Sequence, residues 1–348
     1  MQNQIEITER KPLFDDNGNI INSGFSKRLN WEYDKTLVKA SKIRLKEWDY
    51  YSISNDKYAL CITIADMGYV GALTVSVIDY VTPAHFSAMS TKLFTMGKLN
   101  LSSDLQKGDI SFKKGKTWAT VKTENGVRIL QGEYPNADGL GNTLKWDVTL
   151  SQFPNEYMAI AMPFEKDKHF YLNAKVNCIE AEGSFTIGDM VCSFDKTDTL
   201  AVLDWGRGVL PYKNTWYWAS LSSTLEDGRL FGLNFGHGFD NDENATEDII
   251  FVDGKAHKIN SRVSFAIGGE KENKPRFIEP WTIKDQLGKV DLTFTPIIDK
   301  HNPFNIGLLK ISKHQVFGWF DGKCTLEDGT ELTINHKIGF AEKVLTKW

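Results

Sequence analysis

Apolar and polar residues alternate along much of the chain, and this alternation predicts β-strands. It is clearest in residues 58–65, 70–77, 143–150 and 289–295, which are also rich in β-branched and aromatic side chains. Strands that bury one face show this pattern, because successive side chains point to opposite faces of a sheet. Turn-forming pairs such as Asn-Gly and Asp-Gly recur between the runs. We therefore predict a mostly antiparallel all-β protein.

The most apolar stretch, residues 58–81, is interpreted as two strands and not as a membrane span. Asp66 and Asp79 interrupt it, whereas a membrane-spanning helix needs about 20 mostly apolar residues. Residues 1–10 are polar and contain no signal-peptide core. We therefore expect a cytoplasmic protein without a transmembrane segment.

Short segments recur in the same order in the two halves of the chain, which predicts a duplicated architecture. An eight-stranded up-and-down barrel has the size of one such unit and can hold a small ligand. We expect an N-terminal arm, residues 1–30, followed by two halves in one compact unit, residues 31–190 and 191–348. The recurring pairs are residues 112–116 with 251–255, 145–149 with 289–293, and 182–187 with 328–334.

One short helix is predicted in the first half. Apolar residues recur there at helical spacing, and a glycine that could end the helix follows them. Such an insertion would plug or roof the first barrel. The residues are Phe86, Met89, Leu93, Met96 and Gly97.

Charge and motif content exclude several classes of function. The 348 residues carry 41 Lys and Arg against 45 Asp and Glu, without a basic block, which argues against nucleic acid as the partner. The four Cys are scattered and give no disulfide framework. The chain has no Walker loop, Gly-x-Ser-x-Gly, His-Glu-x-x-His or Cys-x-x-Cys motif. We therefore expect no cofactor and no metal site, and the oligomeric state is left open.

One acidic segment matches a calcium-binding loop only in part. Asp240, Asp242 and Asn244 alternate as in an EF-hand, but Ala245 replaces the turn glycine and no helices are evident beside the segment. We interpret the segment as a solvated acidic loop. Glu247, which follows it, stays of interest.

The segment Asp204-Trp-Gly-Arg-Gly208 is the first candidate for chemistry. An Asp and an Arg close together in a tight, glycine-containing turn could form a charge-assisted pair at a cavity mouth. A desolvated Asp204 could donate a proton to an alkene or a leaving group, with Arg207 orienting the ligand. The alternative is a structural Asp204–Arg207 pair that closes a loop between the halves.

His237 is the first histidine candidate and joins Asp204 as a candidate catalytic residue. It lies between two glycines after a predicted strand, where the backbone can approach a ligand closely, and imidazole is the usual acid or base near neutral pH. A histidine satisfied by hydrogen bonds at a strand end explains the same residues. Asn234, at the end of that strand, and His85 are candidate ligand contacts.

Tryptophan is abundant, with ten residues. Trp216 and Trp218 fall on the same face of one predicted strand, and Trp48 and Trp205 are further candidates for ligand contact. A buried indole needs a partner for its N–H, so Trp is less common than Leu or Ile as pure packing. The functional interpretation is an aromatic cavity that stacks on a polyene, a ring system or a sugar. The alternative is ordinary barrel core.

Motifs spread along the chain are Glu47-Trp-Asp-Tyr-Tyr51, Ile64-Ala-Asp-Met-Gly-Tyr69, Leu203-Asp-Trp-Gly-Arg-Gly208, Trp216-Tyr-Trp-Ala219, Gly236-His-Gly238 and Thr246-Glu247. Together they resemble a bacterial and fungal family, the 2804 family of domains of unknown function. The resemblance covers essentially the whole chain from about residue 30. This family is similar to proteins with two lipocalin-like (calycin) barrels in tandem, including carotenoid 1,2-hydratase, tocopherol cyclase, AttH-like proteins and fungal Diels–Alderases.

The resemblance implies two tandem calycin-like antiparallel barrels, a ligand cavity and a preference for apolar small molecules. It implies no reaction, because a fold does not fix a function. We predict binding of an apolar or amphipathic small molecule in an aromatic pocket, which could include cofactor-free hydration, cyclisation or isomerisation. The alternatives are a non-catalytic carrier of a lipid-like ligand and a glycan-active protein with Trp platforms and paired carboxylates.

Overall fold

The computed structural model describes residues 4–238, 245–306 and 309–347. This part of the chain is nearly all β-structure, and its single helical element is a 3-10 turn, Lys35–Leu37. The strands are β1 Lys11–Pro12, β2 Gly24–Ser26, β3 Trp31–Glu32, β4 Leu45–Ser54, β5 Tyr58–Asp66, β6 Val70–Asp79, β7 Ala84–Leu93, β8 Ile110–Lys114, β9 Thr117–Glu124, β10 Val127–Tyr134, β11 Leu144–Ser151, β12 Met158–Pro163, β13 Phe170–Ile187, β14 Met190–Phe194, β15 Leu200–Val209, β16 Lys213–Thr224, β17 Leu230–His237, β18 Ile249–Val252, β19 Lys255–Lys258, β20 Val263–Ala266, β21 Trp281–Asp285, β22 Val290–His301, β23 Phe304–Ile306, β24 Leu309–Thr325 and β25 Glu331–Lys347.

The first sheet curls into a near-barrel with its own core. Its main strands run in the order β7-β6-β5-β4-β15-β13-β11-β10-β9-β8, and β2, β12 and β14 pair beside them. The end strands β7 and β8 approach each other, and Lys114 Nζ donates a 2.7 Å hydrogen bond to the backbone oxygen of Thr91 across the gap. Alternate side chains such as Tyr51, Leu172 and Leu203 point inward and form the core.

The second sheet curls into a half-barrel. Its main strands run in the order β19-β18-β17-β16-β25-β24-β22-β21-β20, with β23 paired to β24. Within the strands described, no ladder joins the ends β19 and β20, so the sheet stays open there. Phe231, Trp281, Phe294 and Phe320 fill its concave side. The predicted all-β fold of two curled antiparallel sheets in tandem is confirmed.

The two sheets pack against each other through their outer faces. Tyr50 and Val202 of the first sheet meet Trp218, Phe317 and Phe340 of the second. The central strands of the first sheet are therefore buried on both faces, one against the near-barrel core and the other against the half-barrel. This explains why nine of the ten residues of β15 are buried.

The predicted helix is wrong, because its residues form strand β7, Ala84–Leu93. This strand pairs along its whole length with β6, from Val70 to Asp79. It lies at the end of the sheet and is exposed or half-exposed throughout, so its apolar residues show no clear alternation. Met96 and Gly97 lie beyond the strand with φ of 47° and 83°, in a turn and not at a helix end.

Residues 58–81 form two strands, β5 and β6, as predicted. In the parts of the chain that the structure describes, no helix has the length and apolar character needed to cross a bilayer.

The change from the first sheet to the second falls between β15 and β16, that is, between Val209 and Lys213. Residues 24–26, which fall in the predicted N-terminal arm, pair with β12 in the first sheet.

Candidate functional site

Three side chains meet on the outer face of the first sheet. In β15, Leu203 and Trp205 point into the near-barrel, so Asp204 between them faces the second sheet. Lys175 of β13 is the direct neighbour of Asp204 in the register, and Trp48 of β4 lies on the same face, opposite Gly206. The register therefore assembles residues that are far apart in the sequence.

Asp204 accepts contacts from three donors. Trp48 Nε1 donates to Oδ2 over 3.0 Å, and Asn173 Nδ2 donates to Oδ1 over 2.7 Å. Lys175 Nζ lies 3.2 Å from Oδ1. Because all three donors come from sheet strands, the orientation of the Asp204 carboxylate is fixed.

The second sheet completes this group with Glu247 and Trp218. Glu247 Oε2 lies 3.8 Å from Lys175 Nζ, and the Trp218 ring centroid lies 4.0 Å from the same ammonium, a cation–π contact. Trp218 Nε1 donates to Asn234 Oδ1 over 2.7 Å, and Asn234 Nδ2 donates to the backbone oxygen of Glu247 over 2.9 Å. Asn234 therefore links the Trp218 indole to the segment that carries Glu247.

Two glycines provide the space for these large side chains. A Cβ at Gly206 would overlap the Trp48 ring, and a Cβ at Gly236 would overlap the Glu247 carboxylate. Neither glycine has a positive φ, so the requirement for glycine comes from the neighbouring side chains and not from backbone conformation.

A cavity of about 200 Å³ lies between the two sheets, bordered by Trp48, Lys175, Asp204, Trp218 and Glu247 but not by Asn234. Typical pockets for drug-sized ligands measure about 300–1,000 Å³, so this cavity suits a small molecule or one end of a longer one. Glu342 also borders it, accepts a 3.2 Å hydrogen bond from Trp216 Nε1 and lies 3.0 Å from Lys313 Nζ. The aromatic residues of its wall are Trp48, Tyr50, Tyr171, Trp216, Tyr217 and Trp218.

The buried charges at Lys175 are unbalanced, with one ammonium against two carboxylates. Burial alone would lower the pKa of Lys175, but Asp204 and Glu247 outweigh it and raise that pKa. Burial raises the pKa of Glu247; Lys175 opposes this shift, and Asp204 adds to it. The environment of Glu247 therefore favours its protonated form more than water does.

The predicted Asp204–Arg207 pair is not formed. The segment lies inside strand β15 and not in a turn, and residues three apart in a strand point to opposite faces. Arg207 points into the near-barrel, where Nη2 lies 2.9 Å from Asp49 Oδ1 and the guanidinium carbon lies 4.0 Å from the Trp205 ring centroid. Arg207 and Trp205 thus lie in the first core and do not line the cavity.

The two candidate histidines, His237 and His85, lie in different parts of the structure, and only His237 lines the cavity. His237 lines the cavity at the end of β17 and stacks on Tyr217, with ring centroids 6.0 Å apart and an interplanar angle of 24°. His85 lies on the end strand β7, where burial and the charge of Lys300 lower its pKa. The structure therefore brings His237 to Asp204, Trp48, Trp216 and Trp218 in one cavity, and leaves His85 outside it.

Lys175 and Tyr171 also line the cavity, although no motif in the sequence points to them. A signal was present, because Asn173, Lys175 and Asn177 occupy every second position of an otherwise apolar run in β13. Polar residues with this period mark one face of a strand. Their partners could not be inferred, since that requires the register between β13 and β15.

The candidate calcium ligands Asp240, Asp242 and Asn244 lie outside the described residues. Within the described ranges, no group of three His, Cys, Asp or Glu side chains could hold a metal ion.

Residues 4–348 match the family described as Domain of unknown function (DUF2804). The chain belongs to this family. Its motif residues Asp204, His237 and Glu247, which lie far apart in the DUF2804 sequence, border the same cavity.

Two solved structures are similar to this DUF2804 protein. A putative AttH from Nitrosomonas europaea is 9% identical with a TM-score of 0.53, and the match covers 90% of this chain and 96% of that one. Kievitone hydratase from Nectria haematococca is 11% identical with a TM-score of 0.49, and the match covers 87% of this chain and 88% of that one. The AttH match supports the fold alone. A search of curated proteins found no match.

Proposed function

We propose that the cavity between the two sheets binds a small apolar or amphipathic molecule and that Glu247 exchanges a proton with it. The observation that carries this proposal is a buried carboxyl group with a raised pKa in an aromatic cavity. Its Oε1 atom has no hydrogen-bond partner among the described residues. Buried polar atoms are nearly always hydrogen-bonded, so Oε1 is the atom that a polar group of a ligand would satisfy.

The proposed chemistry needs no cofactor. A protonated Glu247 donates its proton to a carbon–carbon double bond, and Lys175 stabilises the carboxylate that remains. In hydration, the resulting carbocation takes up water, whose proton returns to Glu247. In isomerisation, the Glu247 carboxylate takes a different proton from a carbon next to the cation, which forms the new double bond and restores the carboxyl group. The aromatic walls would stabilise the positive charge between these steps.

Asp204 and His237 take supporting roles in this proposal. Asp204 is a positioning residue, because its contact with Lys175 holds the ammonium near Glu247. His237 lies at the end of a strand and stacks on Tyr217, where it would contact the ligand. Trp48, Trp216 and Trp218 would provide the stacking surfaces.

The non-catalytic carrier is the second candidate, since the aromatic walls serve a carrier equally well. The glycan-active alternative has less support. Glycosidases place two carboxyl groups on either side of the bond to be cleaved, whereas the ammonium of Lys175 contacts both Asp204 and Glu247.

Deuterium incorporation separates an enzyme from a carrier. Small neutral probes with a double bond, such as geraniol, are incubated with the protein in D2O, returned to H2O to remove deuterium from oxygen, and analysed by mass spectrometry. We expect carbon-bound deuterium with the wild type and none with Glu247→Gln, while both bind the probe. Glu279→Gln on the surface is the control. Binding without incorporation by the wild type would support the carrier instead.

We also propose a cytoplasmic location. All four cysteines, Cys61, Cys178, Cys192 and Cys324, are buried free thiols. Free thiols persist in reducing compartments, which supports the proposal. Fractionation of the native cells would test it.

A further inference from the structure

A second cavity of about 810 Å³ opens on the other face of the second sheet. In β16, Ala219 and Leu221 point into the half-barrel core, so Lys213, Thr215 and Tyr217 lie on that same concave face. The cavity therefore lies at the end of the half-barrel where β16 begins and β25 ends. The Glu247 site lies on the outer face of the same sheet.

Three lysines form a row across this concave face. Lys347 of β25 lies directly opposite Lys213 of β16 on one side and Lys310 of β24 on the other. Neighbouring strands are about 4.8 Å apart, so three ammonium groups share one end of the cavity. Like charges in direct cross-strand pairs destabilise a sheet, so this row costs stability.

The nearby lysines differ from this row because they are neutralised. Lys343 pairs with Glu270, and Lys313 pairs with Glu342. None of the ion pairs found between described residues involves the row itself. Three cations on adjacent strands that form no ion pair with another described residue are suited to bind an anion.

Two positions further along the same three strands, the concave face carries two hydroxyl groups and one apolar side chain. Leu345 lies directly opposite Thr215 on β16 and Ser312 on β24, and it is 43% exposed. Thr215, Ser312 and Leu345 all line the cavity. The two hydroxyls can donate to anion oxygens, while Leu345 offers an apolar surface beside them.

We propose that this end of the half-barrel binds an anionic amphiphile. Its carboxylate contacts Lys213, Lys310 and Lys347, and its apolar body lies over Leu345 toward the stacked rings of Tyr217 and His237. The three lysines and Glu247 lie on opposite faces of the sheet, and the rings of Tyr217 and His237 border both cavities.

Calorimetry with 2-naphthoate and the neutral 2-naphthalenemethanol tests this proposal. In about 20 mM salt we expect naphthoate to bind at least about tenfold more tightly, and in about 300 mM salt most of this preference is lost by screening. The triple variant Lys213→Gln, Lys310→Gln, Lys347→Gln should lose the preference and fold at least as stably as the wild type, because like-charge repulsion is removed.

The matched control replaces three exposed lysines of the first sheet, Lys113→Gln, Lys116→Gln and Lys122→Gln, and should keep the preference. Glu247→Gln should keep it as well, so failure of one site does not affect the test of the other. Equal binding of the two probes by the wild type, or an undiminished preference in the row variant, would overturn the proposal.

Discussion

Lys175 and Asp204 lie directly opposite each other on β13 and β15, and Lys175 Nζ is 3.2 Å from Asp204 Oδ1 between two packed sheets. The same ammonium contacts Glu247 and the face of Trp218 from the second sheet. One cation therefore joins the halves of the protein at the candidate site. Its removal is the first test of how the site is built.

Lys175→Met should destabilise the fold by about 3–5 kcal/mol, because it leaves the buried Asp204 carboxylate without its cation. The double variant Lys175→Met, Asp204→Asn removes both charges and should recover most of this loss. Urea unfolding measures the free energies, with Lys145→Met on the surface as the control. A loss of less than about 1 kcal/mol in the single variant would contradict the ion pair as described.

Gly206→Ala should displace the Trp48 indole, since the added Cβ would overlap its ring. We expect a cost of about 1–3 kcal/mol from overpacking and a change in tryptophan fluorescence as Trp48 Nε1 leaves Asp204. In a Trp48→Phe background the same substitution should cost clearly less, because the smaller ring gives way. Equal costs in the two backgrounds would show that Gly206 is required for another reason.

The pH dependence of stability should reveal the raised pKa of Glu247. Its ordinary pKa is 4.5, so above that value the folded protein keeps a proton that the unfolded chain has released. The unfolding free energy of the wild type relative to Glu247→Gln should therefore be constant below about pH 4.5. It should fall as pH rises from about 4.5 toward the folded-state pKa. Urea unfolding of both proteins from about pH 4 to pH 8 measures this difference. A difference that rises with pH would contradict the shift.

The strands were predictable from the sequence where one face is buried and the other is not. The alternation in residues 143–150 predicts a strand, and in β11 buried residues do alternate with exposed or half-exposed ones. The apolar residues around Met89 predict a helix, which is wrong. The half-exposed end strand β7 carries too few apolar residues to distinguish the two-residue period of a strand from the 3.6-residue period of a helix.

The residue types of the site were partly predictable, but their grouping was not. Asp204, His237 and Trp218 were selected from composition and motifs, and all three line the cavity. The glycines around Arg207 suggest a turn that would pair it with Asp204, but the segment is a strand, which places the two side chains on opposite faces. Lys175 was missed because its partners depend on the register of β13 against β15, which no local pattern encodes.

The central claim, that the cavity between the sheets is a ligand site, is tested most directly by filling it. Thr63 of β5 lines the cavity, and Thr74 lies directly opposite on β6, half-buried on the same face but outside the lining. Dissociation constants are measured for neutral probes such as indole, 1-naphthol and geraniol. For the tightest probe we predict a loss of at least about tenfold, roughly 1.4 kcal/mol, in Thr63→Trp and unchanged affinity in Thr74→Trp. Unchanged affinity in Thr63→Trp would contradict the account.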